Sequence, residues 1–422
     1  MQKPAATADG AEASPRQKLN RRDTFAAFRY PNYRIWFAGQ LVSLMGTWMQ
    51  MTAQGFLVYE LTHSSAYLGI VGFASGLPIW LLSLYGGVIA DRISRRRLMM
   101  ITQSVMMILA LILAALTYWR LIQAWQIVLL AFCLGVANAF DAPARQAIVF
   151  ELVSRQDLTN AIALNATMFN AATAVGPAMA GLTYAAFGPS LCFALNGISF
   201  IAVIAALFQM RLAPRAEPVR RRKAHIELLE GLRYVTREPL VRTLIAIVAV
   251  VSMFGLSFAT LMPAWAAQIL HGGARENGFL QSARGIGALI SAFALAALSR
   301  RKIKGRLLAA GLWAFPILLI GFSLIKSEPF SLLTLVGVGA AMLMVLNVAN
   351  ALIQSLVPDD LRGRVMGIYS WIFFGFMPIG SLWVGGAAHQ FGLQAPLIIG
   401  SVAVLAVTAA VLIFLPRIRL LA

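Results

Sequence analysis

The chain has 422 residues, of which 59% are hydrophobic and only 12% charged, with mean hydropathy +0.76. A soluble domain carries about 25% charged residues, so this balance excludes a soluble enzyme or binding module. The net charge of +19 would suit a nucleic-acid partner, but the basic residues cluster between long apolar runs, which is how membrane proteins set their orientation.

Residues 1–33 are polar and lack an early apolar run ahead of a small-residue cleavage site. A cytoplasmic tail without a removable signal peptide is expected. Six apolar runs follow, at 35–58, 66–90, 98–119, 124–148, 160–184 and 190–209. Each is long enough to cross a bilayer as a helix, which satisfies its own backbone in lipid. The widest polar interruption, 211–240, reads as a cytoplasmic linker with a surface helix around Ile226 to Thr236. Six more runs lie at 241–268, 277–299, 305–325, 330–356, 364–388 and 394–415, before a cytoplasmic tail at 417–422. The expected fold is an all-α polytopic membrane protein, with twelve transmembrane helices in two six-helix bundles, 34–210 and 241–416.

Twelve spans put both termini on one side. Of the 35 Lys and Arg, all fall on that side except Arg120, Arg275 and Lys326 opposite, and Arg145 and Arg284 within spans. The bias marks the shared side as cytoplasmic, and leaves anionic lipid heads as a secondary partner. No nucleic-acid partner is expected. Cys133 and Cys192 lie inside apolar runs and form no disulfide framework.

The two bundles repeat one plan. Arg29-Tyr30, Arg96-Arg97, Gly135, Val153, Gly181 and Phe187-Gly188 all recur 204 residues later, as Arg233-Tyr234, Arg300-Arg301, Gly339, Val357, Gly385 and Phe391-Gly392. Two similar bundles about an axis along the membrane normal place a substrate site between them.

After the second run comes Gly86 to Arg97, "GGVIADRISRRR". Gly87, Asp91, Arg92, Arg95, Arg96 and Arg97 resemble the loop 2–3 signature of the major facilitator superfamily, with Ser94 where that family usually has Gly. Physically, Gly87 permits close helix approach, and Asp91 beside arginines can latch the bundles through charge-assisted hydrogen bonds. A plain positive-inside loop accounts for the arginines alone. "GTWMQ", "FDAPARQA", "NAIALN", "GPAMAG" and "LVPDDLRGRVM" are similar to the bacterial branch of transmembrane secretion effectors, which includes the enterobactin exporter. That resemblance implies efflux of a small siderophore-like or drug-like molecule. In span five, Gly176, Pro177 and Gly181 match an antiporter signature, while Ala172 and Ala180 stand where it has glycines. A tightly packed, proline-kinked helix is the plainer reading.

Polar residues at helical spacing mark faces turned from lipid. Gln40, Ser43, Thr47, Gln50 and Gln54 share one face of span one; Asn160, Thr167 and Asn170 align in span five. Gln281, Arg284 and Ser291 align in span eight, and Asn347, Asn350 and Gln354 in span ten. Together they suggest a polar cavity between the bundles; singly, each fits interhelical hydrogen bonding. Arg284 has no acidic neighbour on its helix and would suit a carboxylate, phosphate or catecholate, with snorkelling to the interface as the alternative. Trp48, Trp80, Trp265, Trp313, Trp371 and Trp383 could line an amphipathic pocket, although packing accounts for most of them. Asn138, Asp141 and Arg145 share a face of span four, and Asp141 is the one acidic residue well inside a span. Pairing of Asp141 with Arg145, and with Arg92 or Arg95, would make an inner gate that protonation loosens; a static salt bridge is the alternative.

No paired carboxylates at membrane depth, no His/Cys metal spacing and no nucleotide-binding Gly-rich loop occur, so no enzyme activity, metal or cofactor is expected. His63, His225, His271 and His389 are scattered. The expected function is proton-coupled export of a small amphipathic or anionic compound by a monomer. Uptake by symport and lysophospholipid flipping are the alternatives, and a non-transporting membrane sensor fits less well.

Overall fold

A computed structural model describes residues 21–210, 224–298 and 303–414. The expected tails at 1–20 and 417–422, and the linker up to residue 223, lie outside the described residues. A 3-10 segment Arg21–Arg29 leads into α1 Pro31–Thr62, α2 Ser65–Arg92, α3 Arg95–Tyr118, α4 Ala124–Leu152, α5 Leu158–Phe187 and α6 Pro189–Gln209. The linker helix α7 spans Ala224–Arg237, close to its expected place. The second set comprises α8 Pro239–Val250, α9 Met262–Gln268, α10 Ala274–Leu298, α11 Lys304–Leu324, α12 Glu328–Leu356, α13 Asp359–Phe391 and α14 Gln394–Phe414. Every regular element among the described residues is a helix.

Ten of these segments, counting α8 through α9 as one, are long and apolar enough to cross a membrane. The remaining two long helices, α1 and α5, have 32 and 30 residues, about 45 Å or more each. They fall short on apolarity alone, because they carry Gln40, Gln50 and Gln54, or Asn160, Asn165 and Asn170. The expected span at 241–268 is also not one continuous α-helix. A π turn Val251–Gly255 and a 3-10 stretch Leu256–Leu261 separate α8 from α9. Ser252, Gly255, Ser257 and Pro263 weaken the α register there. Gly380 and Gly400 let α13 and α14 press onto the carbonyls of Met253 and Phe254.

Short connections make successive helices antiparallel. The side carrying Arg21, α7 and the end of α14 is termed terminal, the opposite side distal. The repeat seen in sequence is a repeat in space. α2 packs on α4 as α10 packs on α12, and α3 on α6 as α11 on α14. Gly188 and Gly392 both have φ +82°, a backbone conformation with a steric cost for any residue bearing Cβ. They turn α5 into α6 and α13 into α14. Tyr30 anchors the start of the first half: its hydroxyl lies 2.8 Å from Ser154 Oγ and 2.9 Å from Asp157 Oδ2. At the matching start of the second half, Glu230 on α7 pairs with Arg364 of α13 at 2.8 Å.

Candidate substrate pathway between the halves

The apolar core shows where the halves meet. On the distal side one continuous cluster joins Met49, Phe56, Tyr59, Leu68 and Tyr184 of the first half to the core of the second. On the terminal side, Tyr33, Trp36, Met99, Ile148, Ala161 and Phe200 form a separate cluster of the first half alone. Among the described residues, therefore, the halves share an apolar core distally and none on the terminal side.

Backbone approaches make the join a weld. Gly278 faces the Pro177 carbonyl, Gly181 faces the carbonyls of Ala274 and Arg275, and a Cβ on Gly285 would stand 2.5 Å from the Thr173 oxygen. The symmetry-related pair, α2 and α13, does the same: Gly69 meets Ser381 and Gly385, and Gly76 meets Pro378. Side chains add to it, with Gln268 Nε2 donating to Tyr59 Oη (2.6 Å) and Asn277 Nδ2 to the Thr52 carbonyl (3.4 Å). Trp80 stacks obliquely on Trp371 across the same boundary, at 5.6 Å. Gly176, Pro177 and Gly181 thus belong to this contact surface: Gly176 seats α5 on Met45 and Trp48 of α1, and Gly181 seats it on α10. In α13 the equivalent glycines, Gly380 and Gly385, repeat both contacts.

Asp141 is 1% exposed, and its Oδ1 accepts from Thr102 Oγ1 (2.9 Å) and Gln103 Nε2 (3.0 Å) of α3. Its Oδ2 lies 3.8 Å from Arg145 Nε. Pairing with Arg145 is as expected; pairing with Arg95 is not found. Arg95 instead reaches Glu151 Oε1 (2.9 Å) and the Ala147 carbonyl (2.7 Å). Antiparallel packing of α3 on α4 explains this, because it levels the first turn of α3 with the last turn of α4 and Thr102-Gln103 with Asp141. Gly87, Asp91 and Arg92 close α2, but their side chains lie outside the described residues.

The polar stripes divide. Gln50 is buried and accepts from Asn196 Nδ2 of α6 at 2.7 Å. Gln40 is 1% exposed, and its Oε1 has no hydrogen-bond partner among the described residues. Gln50 corrects the expectation of a cavity-facing amide, since α1 turns it toward α6 of its own bundle. Asn160 accepts from the Ala27 amide and ties down the 3-10 segment. Asn138 donates to the Leu134 carbonyl of its own helix. Gln54 is buried and makes no side-chain hydrogen bond among the described residues. Asn170 is half-buried, Asn347 is exposed, and Asn350 accepts from Gln354 at 2.6 Å. Among the described residues Arg284 hydrogen-bonds only to Gln281 Oε1, at 3.4 Å, and its buried Nε has no partner. Of the tryptophans, Trp265 is fully buried on Phe322, Trp48 packs on Phe169 and Trp383 on Phe254; Trp313 lines a lateral groove with Arg306.

If Gln50 is structural, Gln50→Leu should lower the unfolding midpoint by the equivalent of about 1 kcal/mol, and adding Asn196→Leu should recover part of it. Equilibrium binding of a transported compound should be unchanged in both variants.

Sequence reasoning missed Thr102, Gln103, Glu151, Asn196, Gly278 and Gly285. The adjacent Thr-Gln inside an otherwise apolar run was a readable signal for the first two. The glycine spacing of "GIVGFASG" and "NGFLQSARGIG" was one for the α2 and α10 contact faces.

Two all-helical halves of one repeated plan, joined distally among the described residues, define a multi-pass transporter of the major facilitator fold. Solved structures agree on the fold. A nucleoside transporter, NupG, is 12% identical with TM-score 0.69, covering 90% of this chain and 98% of its own. A bacterial homolog of the human lysosomal transporter Spinster, solved inward-facing and unoccupied, is 14% identical with TM-score 0.68, covering 92% and 97%. The model of the transmembrane secretion effector family matches residues 22–420, and the chain belongs to that family. Among its relatives is the staphyloferrin A transporter of Staphylococcus aureus, 27% identical over 85% of this chain and 90% of that protein. The multidrug efflux pump Tap of Mycolicibacterium fortuitum is 28% identical over 93% and 97%.

Proposed function

We propose that the protein is a proton-coupled exporter, working by alternating access in the bacterial inner membrane with both termini cytoplasmic, as a monomer without cofactors. The carrying observation is the apolar core that, among the described residues, the halves share on the distal side alone. The positive-inside bias makes the terminal side cytoplasmic, so a central space parted on that side receives its substrate from the cytoplasm. Relatives named as efflux pumps, and one as a siderophore transporter, favour outward movement of a small amphipathic molecule. No nucleotide-binding loop occurs in the sequence, which favours an ion gradient as the energy source, taken here to be the proton gradient. Gln54, Asn138, Asn170, Arg284, Asn347 and Asn350 are the polar positions assigned to substrate. Asp141 is the carboxylate assigned to the proton, with Arg145 beside it on α4 and Thr102 and Gln103 facing it from α3.

Proteoliposomes loaded with staphyloferrin A test this, with efflux followed with and without an imposed pH gradient. Gradient-driven efflux is expected in the wild type. Asp141→Asn keeps an oxygen for Thr102 and Gln103, so it should fold and bind yet lose the response to the gradient. An unchanged response in that variant removes Asp141 as the proton carrier; efflux indifferent to the gradient in the wild type removes proton coupling.

A further inference from the structure

Arg284 stands about 15 Å along α10 from its distal end, near the middle of a hydrocarbon layer about 30 Å thick. A guanidinium at that depth is costly unless a partner neutralises it. Its own helix supplies none: Glu276, two turns away, is already accepting from the Gly273 amide at 2.6 Å. The helices packed against α10 supply none either. α5 and α9 contain no charged residue. The only charge on α12 is Glu328, its first residue, whereas Arg284 lies at the level of Gly339. On α1 the only carboxylate is Glu60, at the distal end, hydrogen-bonded to Tyr184. Among the described residues the side-chain amide of Gln281, at 3.4 Å, is its one hydrogen-bond partner, and Nε has none.

The arginine also faces the right way. Asn277, Gln281 and Arg284 are at i, i+4 and i+7 and share one face of α10. Asn277, on that face, reaches the Thr52 carbonyl of the other half. A guanidinium offers N–H donors in a fixed fork that matches an oxyanion.

Resting on the transport reading above, we infer that Arg284 is the anion-recognising residue of the central site. The transported compounds carry an oxyanion, a carboxylate or a phosphate, which supplies the counter-charge the protein omits. Gln281 Oε1 is displaced from the guanidinium when the anion docks. Neutral compounds of the same shape leave the arginine uncompensated and are rejected.

The test uses the full chain in lipid nanodiscs with three matched probes: salicylate, phenyl phosphate and the neutral salicylamide. A ligand that prefers the native state raises the unfolding midpoint in proportion to its affinity. Either anion should raise the midpoint of the wild type, and the better of the two identifies the oxyanion; salicylamide should not. Arg284→Gln should lose about 30-fold or more in affinity for that anion, and Arg284→Lys, which keeps the charge but not the fork, should lose less. The ligand-free midpoint of Arg284→Gln should equal or exceed the wild type. No shift with either anion, an equal shift with salicylamide, or an undiminished shift in Arg284→Gln overturns the inference. So does a fall in the ligand-free midpoint, which would mark the arginine as structural. Binding is read here without any gradient. A protein that binds anions yet moves nothing refutes export alone; one that exports neutral compounds equally well with Arg284→Gln refutes the anion site alone.

Discussion

Gly285→Leu is expected to leave the protein folded yet lower transport by about 30-fold or more, whereas Gly287→Leu, two residues on, should compromise the fold itself. Both glycines of α10 lie against backbone, so any side chain forces a displacement. A Cβ at Gly285 would stand 2.5 Å from the Thr173 oxygen and 2.7 Å from the Ala174 Cα. At Gly287 it would run into the Val336 carbonyl of α12. The difference lies in which surfaces these are. Thr173 and Ala174 belong to the other half, and alternating access breaks that contact in one of its two states. α10 and α12 belong to the same half and stay together in both. Overpacking costs about 1–3 kcal/mol. At Gly285 that cost falls on the distally welded state alone, so it shifts the population between states by up to about 150-fold rather than unfolding the chain.

The measurement is labelling of Ala274→Cys, a buried position facing Gly181, by a membrane-impermeant thiol reagent in a Cys133→Ser, Cys192→Ser background. Gly285→Leu should speed that labelling while its unfolding midpoint stays near that of the parent. Gly287→Leu should do the reverse. Equal loss of stability in both variants would mean that α5 and α10 never separate, and the rocking of the halves would be refuted.

How much of this could be read in advance depends on whether one helix or two were needed. Apolar runs set out the helices, and the recurrence of Gly181 as Gly385 pointed to two halves of one plan. Those signals sit on single segments. The break between α8 and α9 escaped the hydropathy reading because Val251 to Leu261 remains apolar on average despite Ser252, Gly255 and Ser257, and hydropathy does not register a local change of helical pitch. Gln40 and Gln50 were correctly placed on one face of α1, but periodicity does not say whether a face meets substrate or a neighbour. Only the seating of α1 on α6 decided for Asn196. Asp141 and Arg145 pair within one helix and were legible; Arg95 found Glu151 instead, because the register of α3 on α4 is a tertiary quantity. Arg284 is the converse case. The missing partner was visible on α10 alone, and the structure extended that absence to every helix packed around it.

Asp141→Leu is expected to lower stability by about 3 kcal/mol, close to the cost of breaking a buried ion pair. Three groups turn toward this carboxylate and respond differently when it goes. Thr102 falls back on the Leu98 carbonyl, already 3.1 Å from its hydroxyl, and loses little. Gln103 has no such fallback. Its Oε1 is buried without a partner, so losing Asp141 strands the whole amide, at about 1–3 kcal/mol. Arg145 is left without its counter-charge, but its side chain is 23% exposed and can turn partly to water, which keeps its share below that of a fully buried arginine. Asp141→Asn should cost about 1 kcal/mol, since the remaining oxygen still accepts from α3. Replacing the carboxylate together with Gln103 and Arg145, as Asp141→Leu, Gln103→Leu and Arg145→Leu, should recover most of the loss, because burying apolar groups of similar size removes the stranded donors. Unfolding midpoints of the four proteins in one detergent measure this directly. If Asp141→Leu proves as stable as the parent, the carboxylate is not held by α3 as described. If the triple variant is no better than the single, the loss comes from packing and not from unpaired polar groups. The same series separates fold from coupling, since a proton carrier needs Asp141 to keep its acidity, whereas a structural anchor needs only its oxygen.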